Sequence, residues 1–209
     1  MQAVRVIAGQ QRGRRLRVPR GRRVRPTLAR AKASLFDILA SRGLVEGARI
    51  LDLFAGSGAL GIEALSRGAE SVVFIEQDRG AARVLRGNVA ASGFGARASV
   101  MVQSCVPGLA RLERRGCVFD GVFVDPPYGT SWADRMLREL GAGSLVRQGG
   151  WVIVHHRHGD APDPAYETLV RSLSRRIGDA VMVLYEREDD SQRGDCLHVL
   201  NGEMLEKPQ

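Results

Sequence analysis

The stretch Ile50-Leu51-Asp52-Leu53-Phe54-Ala55-Gly56-Ser57-Gly58-Ala59-Leu60-Gly61 passes from an apolar strand-like run through an acid and a glycine turn into a helix start. The rest of the chain has to fit around it. Glycines at 56 and 58 admit a left-handed backbone and the close approach of a ligand that a Cβ would block. The helix expected over residues 59–67 would present its N-terminal amides to that ligand. Taken literally, Gly56-x-Gly58-x-x-Gly61 is also the dinucleotide fingerprint, with Glu76 about twenty residues further on, as that fingerprint asks. The glycines alone leave a nicotinamide cofactor and another adenosyl ligand both open.

Two features tilt the choice. Asp52 stands at the end of the first strand, where a carboxylate suits a positively charged ligand group and would repel a pyrophosphate. A second apolar run, Gly121-Val122-Phe123-Val124, leads into Asp125-Pro126-Pro127-Tyr128, a tetrapeptide with no part in hydride transfer. Together these motifs resemble the S-adenosylmethionine-dependent methyltransferases that act on exocyclic amino groups of nucleic-acid bases. The resemblance implies roles for the tetrapeptide. The Asp125 carboxylate and Pro126 carbonyl would accept from the target amino group and direct its lone pair at the methyl donor, Pro127 would help fix the backbone, and Tyr128 would stack on a base drawn out of its helix. The expected cofactor-binding residues are Asp52, Phe54, Gly56, Ser57, Gly58, Glu76, Gln77 and Ser104, with Glu76 accepting from both ribose hydroxyls. Many relatives carry an acid at the third strand end. This chain has Gln103-Ser104-Cys105, so Ser104 or backbone groups would read the adenine edge. Asp78 is a second acid nearby, suited to capping the following helix.

From residue 49 onward the pattern alternates strand and helix. Strands are expected over residues 50–54, 71–76, 98–103, 119–125 and 150–155, and helices over 59–67, 79–92, 106–115 and 132–140. This alternation predicts an α/β fold with a mostly parallel sheet covered on both faces, and ligands at the carboxyl ends of its strands. The resemblance implies a Rossmann-like class I architecture, a seven-stranded sheet with a final antiparallel strand. A helix is expected near residues 166–173, then an antiparallel pair over 179–185 and 196–200, and a frayed tail from Asn201. His155-His156-Arg157-His158 superficially suggests a metal cluster, but adjacent histidines on a strand face opposite ways and no further ligands stand at suitable spacing. No metal is expected. These residues read as a polar strand end near substrate. Gly129-Thr130-Ser131 would form a mobile lip, and Trp132 would either stack on RNA or face the core.

Charge is distributed unevenly. The formal net charge is +8 over 209 residues, but residues 1–36 hold eleven basic side chains and no acid, leaving 20 basic against 23 acidic residues beyond. Residues 4–8 and 14–18 alternate as a small hairpin, 19–25 form an arginine-rich connector, and residues 28–41 carry apolar positions at helical spacing behind a Pro26-Thr27 start. Residues 1–42 are therefore expected to be a basic extension and 43–209 the catalytic domain. Arg14, Arg15, Arg22, Arg23 and Arg25 are the expected RNA contacts, through phosphate neutralisation. Cysteines 105, 117 and 196 form no CxxC pair and read as reduced residues. Neither a signal peptide nor an apolar run of membrane-spanning length is present, so the expected compartment is the cytoplasm and the expected state a monomer.

The N-terminal pieces narrow the resemblance. Val6-Ile7-Ala8-Gly9, Gly13-Arg14-Arg15-Leu16, Arg25-Pro26-Thr27 and Leu35-Phe36-Asp37-Ile38-Leu39 join the residue 52–69 run and Asp125-Pro126-Pro127-Tyr128. Together they are similar to the bacterial methyltransferases of guanine N2 in small-subunit (16S) ribosomal RNA, of the RsmD type. That resemblance implies a hairpin-loop guanine as target, in an assembling or assembled 30S subunit. One departure is Ala29-Arg30-Ala31-Lys32-Ala33, where relatives usually carry two acids. Three alternatives stay open on sequence: a DNA adenine-N6 methyltransferase, a non-catalytic RNA-binding assembly factor with this fold, and a nicotinamide-dependent oxidoreductase.

Overall fold

The structure, a computed structural model, describes residues 4–19 and 26–188. Strands β1 (Val4–Arg5) and β2 (Arg15–Leu16) pair antiparallel as the expected hairpin. Helix α1 (Pro26–Ser41) begins two residues before the expected start, with a proline in its first turn, where the missing N–H costs nothing. Then follow β3 (Arg49–Leu53), α2 (Ala59–Ser66), β4 (Ser71–Glu76), α3 (Arg79–Ala91), β5 (Ala98–Val102), α4 (Cys105–Arg114), β6 (Phe119–Val124), α5 (Trp132–Ala142), β7 (Val146–Arg157), β8 (Ala165–Tyr166), β9 (Leu169–Ile177) and β10 (Ala180–Arg187).

The main sheet has the order β5-β4-β3-β6-β7-β10-β9-β8. Its first five strands are parallel, and β10 runs antiparallel between β7 and β9. Side-chain alternation sorts the core into two layers. Ile50, Phe123, Trp151 and Ile153 pack on α1, α2 and α3, whereas Leu51, Leu53, Val122, Val124, Val152 and Val154 pack on α4 and α5. Gly121 lies opposite Trp151 in the β6–β7 ladder, and a Cβ there would fall 2.1 Å from the indole ring, so only glycine leaves room for it. Among the described residues no helix is long and apolar enough to cross a membrane.

The structure corrects two expectations. Residues 166–173 are not a helix: the spacing of Tyr166, Leu169, Val170 and Leu173 imitates one, but Leu169 onward is strand β9, paired with β10. Most β9 side chains from Arg171 to Arg176 are exposed, so the strand never shows the two-residue apolar alternation that would reveal it. Its hairpin with β10 turns at Gly178, whose φ of 63° is in the left-handed region a tight two-residue turn uses. β10 pairs antiparallel with β9 as well as with β7; the strand expected over residues 196–200 lies outside the described residues. Among the described residues the sheet has eight strands where seven were expected, β9 and the two-residue edge strand β8 being the strands not foreseen.

The hairpin is fastened to the body. Val6 and Leu16 are buried in the same core layer as Leu35, Phe36 and Leu39 of α1. Glu63 of α2, fully buried, accepts from the Ile7 and Ala8 amides at 2.7 and 3.0 Å and pairs with Lys32 and Arg67, each at 2.9 Å. Ser66 adds a bond to the Ala8 carbonyl at 2.6 Å. At Gly9, φ is 78° and a Cβ would strike the Ser66 carbonyl at 1.8 Å. The lysine in the departing Ala29–Ala33 stretch is thus committed to Glu63 and to the Arg5 carbonyl.

Candidate active site

The parallel strands end together, and their carboxyl ends bring the expected acids to one side. Asp52 lies on the central strand β3 between Phe74 of β4 and Phe123 of β6. It is 1% exposed, and its Oδ2 accepts from the Gly61 amide at 3.0 Å, in the first turn of α2. Burial pushes its carboxyl up to about 8, Asp125 and Glu76 add to the rise, and the Gly61 N–H opposes it. The three acids therefore share one electrostatic field, which the imidazole of His155 approaches from the Asp125 side. Such a field favours a positively charged guest.

The turn itself is strained where it meets that field. Phe54 adopts φ 57°, costly for a side chain with a Cβ, and leads into Gly56 at 56° and Gly58 at 79°. The Phe54 ring packs edge-on against Trp132, with centroids 5.7 Å apart, so Trp132 supports the turn from α5. Glu76 is buried and accepts from Gly56 N–H through Oε2 and from Asp78 N–H through Oε1, both at 2.8 Å. Each oxygen keeps a second lone pair. Asp78 caps α3 by accepting from Ala81 N–H at 2.6 Å, the capping role expected for it. Gly61 serves a different purpose from its neighbours: a Cβ there would meet the Phe74 ring at 2.3 Å, so it permits helix-on-strand packing. Gln77 is exposed just past β4, and half-buried Ser104 precedes α4 without capping it by its side chain. The neighbouring Cys105 thiol is pushed up to about 12, mainly by burial, and is a core group rather than a nucleophile.

Beyond β6 the chain turns outward. Asp125 keeps 38% of its side chain exposed, Pro126 is buried, Pro127 is exposed and Tyr128 is half-buried. Thr130 Oγ1 donates to the Pro127 carbonyl at 2.7 Å and closes the turn. A cavity of about 320 Å³ opens beside it, between Pro126–Thr130, Asp134 on α5 and the end of β7 from His155 to Arg157. Asp52, Asp125 and Glu76 are thus electrostatically coupled at the strand ends, and Pro126–Tyr128 of the tetrapeptide line the cavity. Arg14 and Arg15 are exposed on the hairpin, where Arg14 Nε donates to Gln11 Oε1 at 2.6 Å. Arg22, Arg23 and Arg25 lie outside the described residues.

Two residues that sequence reading passed over shape the site. Asn88 of α3 is 3% exposed; its Oδ1 accepts from Arg17 N–H, and its Nδ2 donates to the Arg17 and Ser57 carbonyls, all at 2.9 Å. Its signal was a lone amide among Ala81, Leu85 and Val89 on the buried stripe of α3. The other is Glu63, a single acid within the apolar run of α2.

Comparison with known proteins adds a family. The family model described as Conserved hypothetical protein 95 matches residues 4–186. The chain is 38% identical over 149 residues to the Ribosomal RNA small subunit methyltransferase D of Escherichia coli K12, covering 71% of this chain and 69% of that one. The Haemophilus influenzae protein of the same name is 37% identical over 150 residues, covering 71% and 73%. Among solved structures, the putative methyltransferase yhhF from Escherichia coli aligns with a TM-score of 0.77 at 33% identity, covering 90% of this chain and 99% of the other. A hypothetical protein of Thermus thermophilus aligns at 0.76 and 33% identity, covering 89% and 99%.

Proposed function

Because the chain belongs to the family of ribosomal RNA small subunit methyltransferase D, we propose that it transfers a methyl group from S-adenosylmethionine to the exocyclic N2 of a flipped guanine in small-subunit ribosomal RNA. It is an rRNA methyltransferase with the Rossmann-like class I fold, and S-adenosylmethionine is its cofactor. In this reading the substrate is presented by an assembling or assembled 30S subunit, residues 1–42 are the RNA-binding extension, and the enzyme acts as a monomer in the cytoplasm.

The donor set suits the cofactor. Asp52 is a buried acid held by the Gly61 N–H, in a field that Glu76 and Asp125 make more negative, so a cationic ligand group is what complements it. Glu76 would hold the ribose hydroxyls through its remaining lone pairs, and Gln77 and Ser104 would read the adenine. Bound S-adenosylmethionine supplies a methyl group activated by a sulphonium centre. The protein's part is positioning. Asp125 and the Pro126 carbonyl accept the two N–H bonds of the target amino group and turn its lone pair toward the methyl, and Tyr128 stacks on the base. Methyl transfer would break the sulphur–methyl bond, whose electron pair would stay on sulphur in S-adenosylhomocysteine, and form the N–C bond, while the nitrogen would give up one N–H proton to Asp125 and from there to water.

The observation that supports this reading is the electrostatic coupling of Asp52 and Asp125 at the ends of the adjacent strands β3 and β6, the acids proposed for the cofactor and for the target amino group. The test is transfer of labelled methyl to small subunits lacking the modification, to naked rRNA and to duplex DNA, followed by nucleoside analysis. N2-methylguanosine in the ribosomal particle is the expected product. Label in DNA adenine would overturn the substrate assignment.

A further inference from the structure

In the parallel β6–β7 ladder Val124 stands opposite Val154, so Asp125 and His155 occupy the next rung. Both extend the face that carries Phe123 and Ile153. His155 Nδ1 lies 3.5 Å from Asp125 Oδ1. The two ends of this contact differ: the histidine side chain is 6% exposed, the aspartate 38%. On its other side, in the β7–β10 ladder, His155 faces Met182, whose side chain offers no hydrogen-bonding oxygen. Its Nε2 is buried and has no hydrogen-bond partner among the described residues.

These facts choose a tautomer. A carboxylate oxygen only accepts, so the ring nitrogen that faces it carries the proton. Placing the proton on Nε2 instead would bury a donor with no acceptor, the costlier kind of unsatisfied group. With Nδ1–H toward Oδ1, the unpaired atom is an acceptor lone pair. One carboxylate oxygen of Asp125 is thereby engaged from below, and the other is left to the open side of the site.

We infer that His155 is a positioning residue for methyl transfer: through Nδ1–H it holds Asp125 Oδ1, so that Oδ2 is aimed at the target amino group. The inference rests on Asp125 being the amino-group acceptor proposed above. Unrestrained, an aspartate at a strand end samples several χ1 wells. A small displacement of such an acceptor costs rate and leaves binding alone, because the amino group is oriented only at the reacting centre.

The test has two arms. In the first, the protein with ¹⁵N-labelled histidine is examined by NMR, which identifies the ring nitrogen that carries the proton. The expected result is an Nδ1–H tautomer at His155, with exchange of that proton about 10-fold faster in Asp125→Ala, the cost of a charge-assisted bond removed. An Nε2–H tautomer would overturn the inference, whatever the enzyme's substrate proves to be. In the second arm His155→Leu, His155→Asn and His155→Gln are assayed for methyl transfer. Leucine keeps a side chain of similar bulk opposite Met182 and removes the orphan nitrogen, so its melting temperature should not fall. Its kcat should drop about 10-fold to 100-fold while KM for RNA stays within about twofold. Asparagine places an amide N–H near the position of Nδ1 and should restore kcat to within about threefold, whereas glutamine, which reaches the Nε2 position, should not. A leucine variant with wild-type kcat, or a folded asparagine variant as slow as leucine, would defeat the positioning role and leave the methyltransferase reading standing. If the wild-type protein methylates a base atom other than guanine N2, the substrate reading fails and the tautomer arm still decides the contact.

Discussion

The side-chain amide of Asn88 donates to the backbone carbonyl of Ser57 at 2.9 Å, and the same side chain grips Arg17 through both its N–H and its C=O. One buried residue thus joins the glycine turn proposed to hold the cofactor to the segment that leaves the basic hairpin. Asn88→Ala strands the Ser57 carbonyl and both Arg17 groups, and is expected to destabilise the protein by about 2–4 kcal/mol. Cofactor affinity should weaken as well, because the turn loses its brace. Denaturant unfolding and cofactor titration of the same variant check both parts.

Asp52 gives the empty and loaded enzymes opposite pH responses. Its folded value near 8 lies above the ordinary carboxylate range. The protonated form therefore contributes stability that is complete below the unfolded value and is lost as pH rises through about 8. A cationic ligand needs the ionised form, so cofactor affinity should rise with pH toward that point, by up to about tenfold per unit, and then level off. Asp52→Asn should flatten both profiles. Calorimetric binding and thermal melts across the neutral to mildly alkaline range provide the comparison.

Asp125 separates binding from turnover. Asp125→Ala removes one of the two acceptors proposed for the amino group and should lower kcat by about 100-fold to 1000-fold, with cofactor affinity within a fewfold of wild type. Near-normal turnover in a variant that still binds cofactor would remove Asp125 from the mechanism.

Glu63 governs the acid limit of stability. Burial would raise its proton affinity, but Lys32, the Ile7 amide and Arg67 outweigh that and hold the carboxyl below the ordinary glutamate range. Its contribution is present above that range and is lost as pH falls through the depressed value. Glu63→Gln leaves Lys32 buried without its counter-ion and should cost about 3–5 kcal/mol at neutral pH. The acid limb of the stability curve should become shallower, as urea unfolding from neutral to acid pH would reveal.

The basic extension can be tested by salt. Replacing Arg14, Arg15, Arg22 and Arg23 with alanine should weaken RNA binding and reduce the slope of log affinity against log salt by about one for each phosphate no longer neutralised. Cofactor affinity should be nearly unchanged. An equal fall in both affinities would place the arm at the cofactor site.

What could be read in the sequence was whatever local pattern controls. The turn from Asp52 to Gly61 and the alternation from residue 49 to 155 announced the parallel half of the sheet, because the strands there are buried on both faces and the helices carry apolar stripes. Strand β9 escaped because a partner strand, and not its own periodicity, makes it a strand. Glu63 and Asn88 escaped for a related reason: a polar residue on a buried stripe signals a distant partner without naming it. Ile7 stands 56 residues from Glu63 in sequence, and Arg17 stands 71 from Asn88. The Asp125–His155 contact needed the β6–β7 register, which no motif spells out.

The fastening of the hairpin also sets an order of events during synthesis. Residues 4–17 leave the ribosome before Glu63 and Ser66 on α2, which hold Ile7 and Ala8, and before Asn88 on α3, which holds Arg17. At about 5–20 residues per second, the gap from Arg17 to Asn88 is several seconds of translation. Throughout that interval the hairpin lacks its full set of fastenings, and its arginines ride on an incompletely docked chain beside the ribosome's own RNA. A nascent chain of this protein meets a polyanion before it can hold a methyl donor.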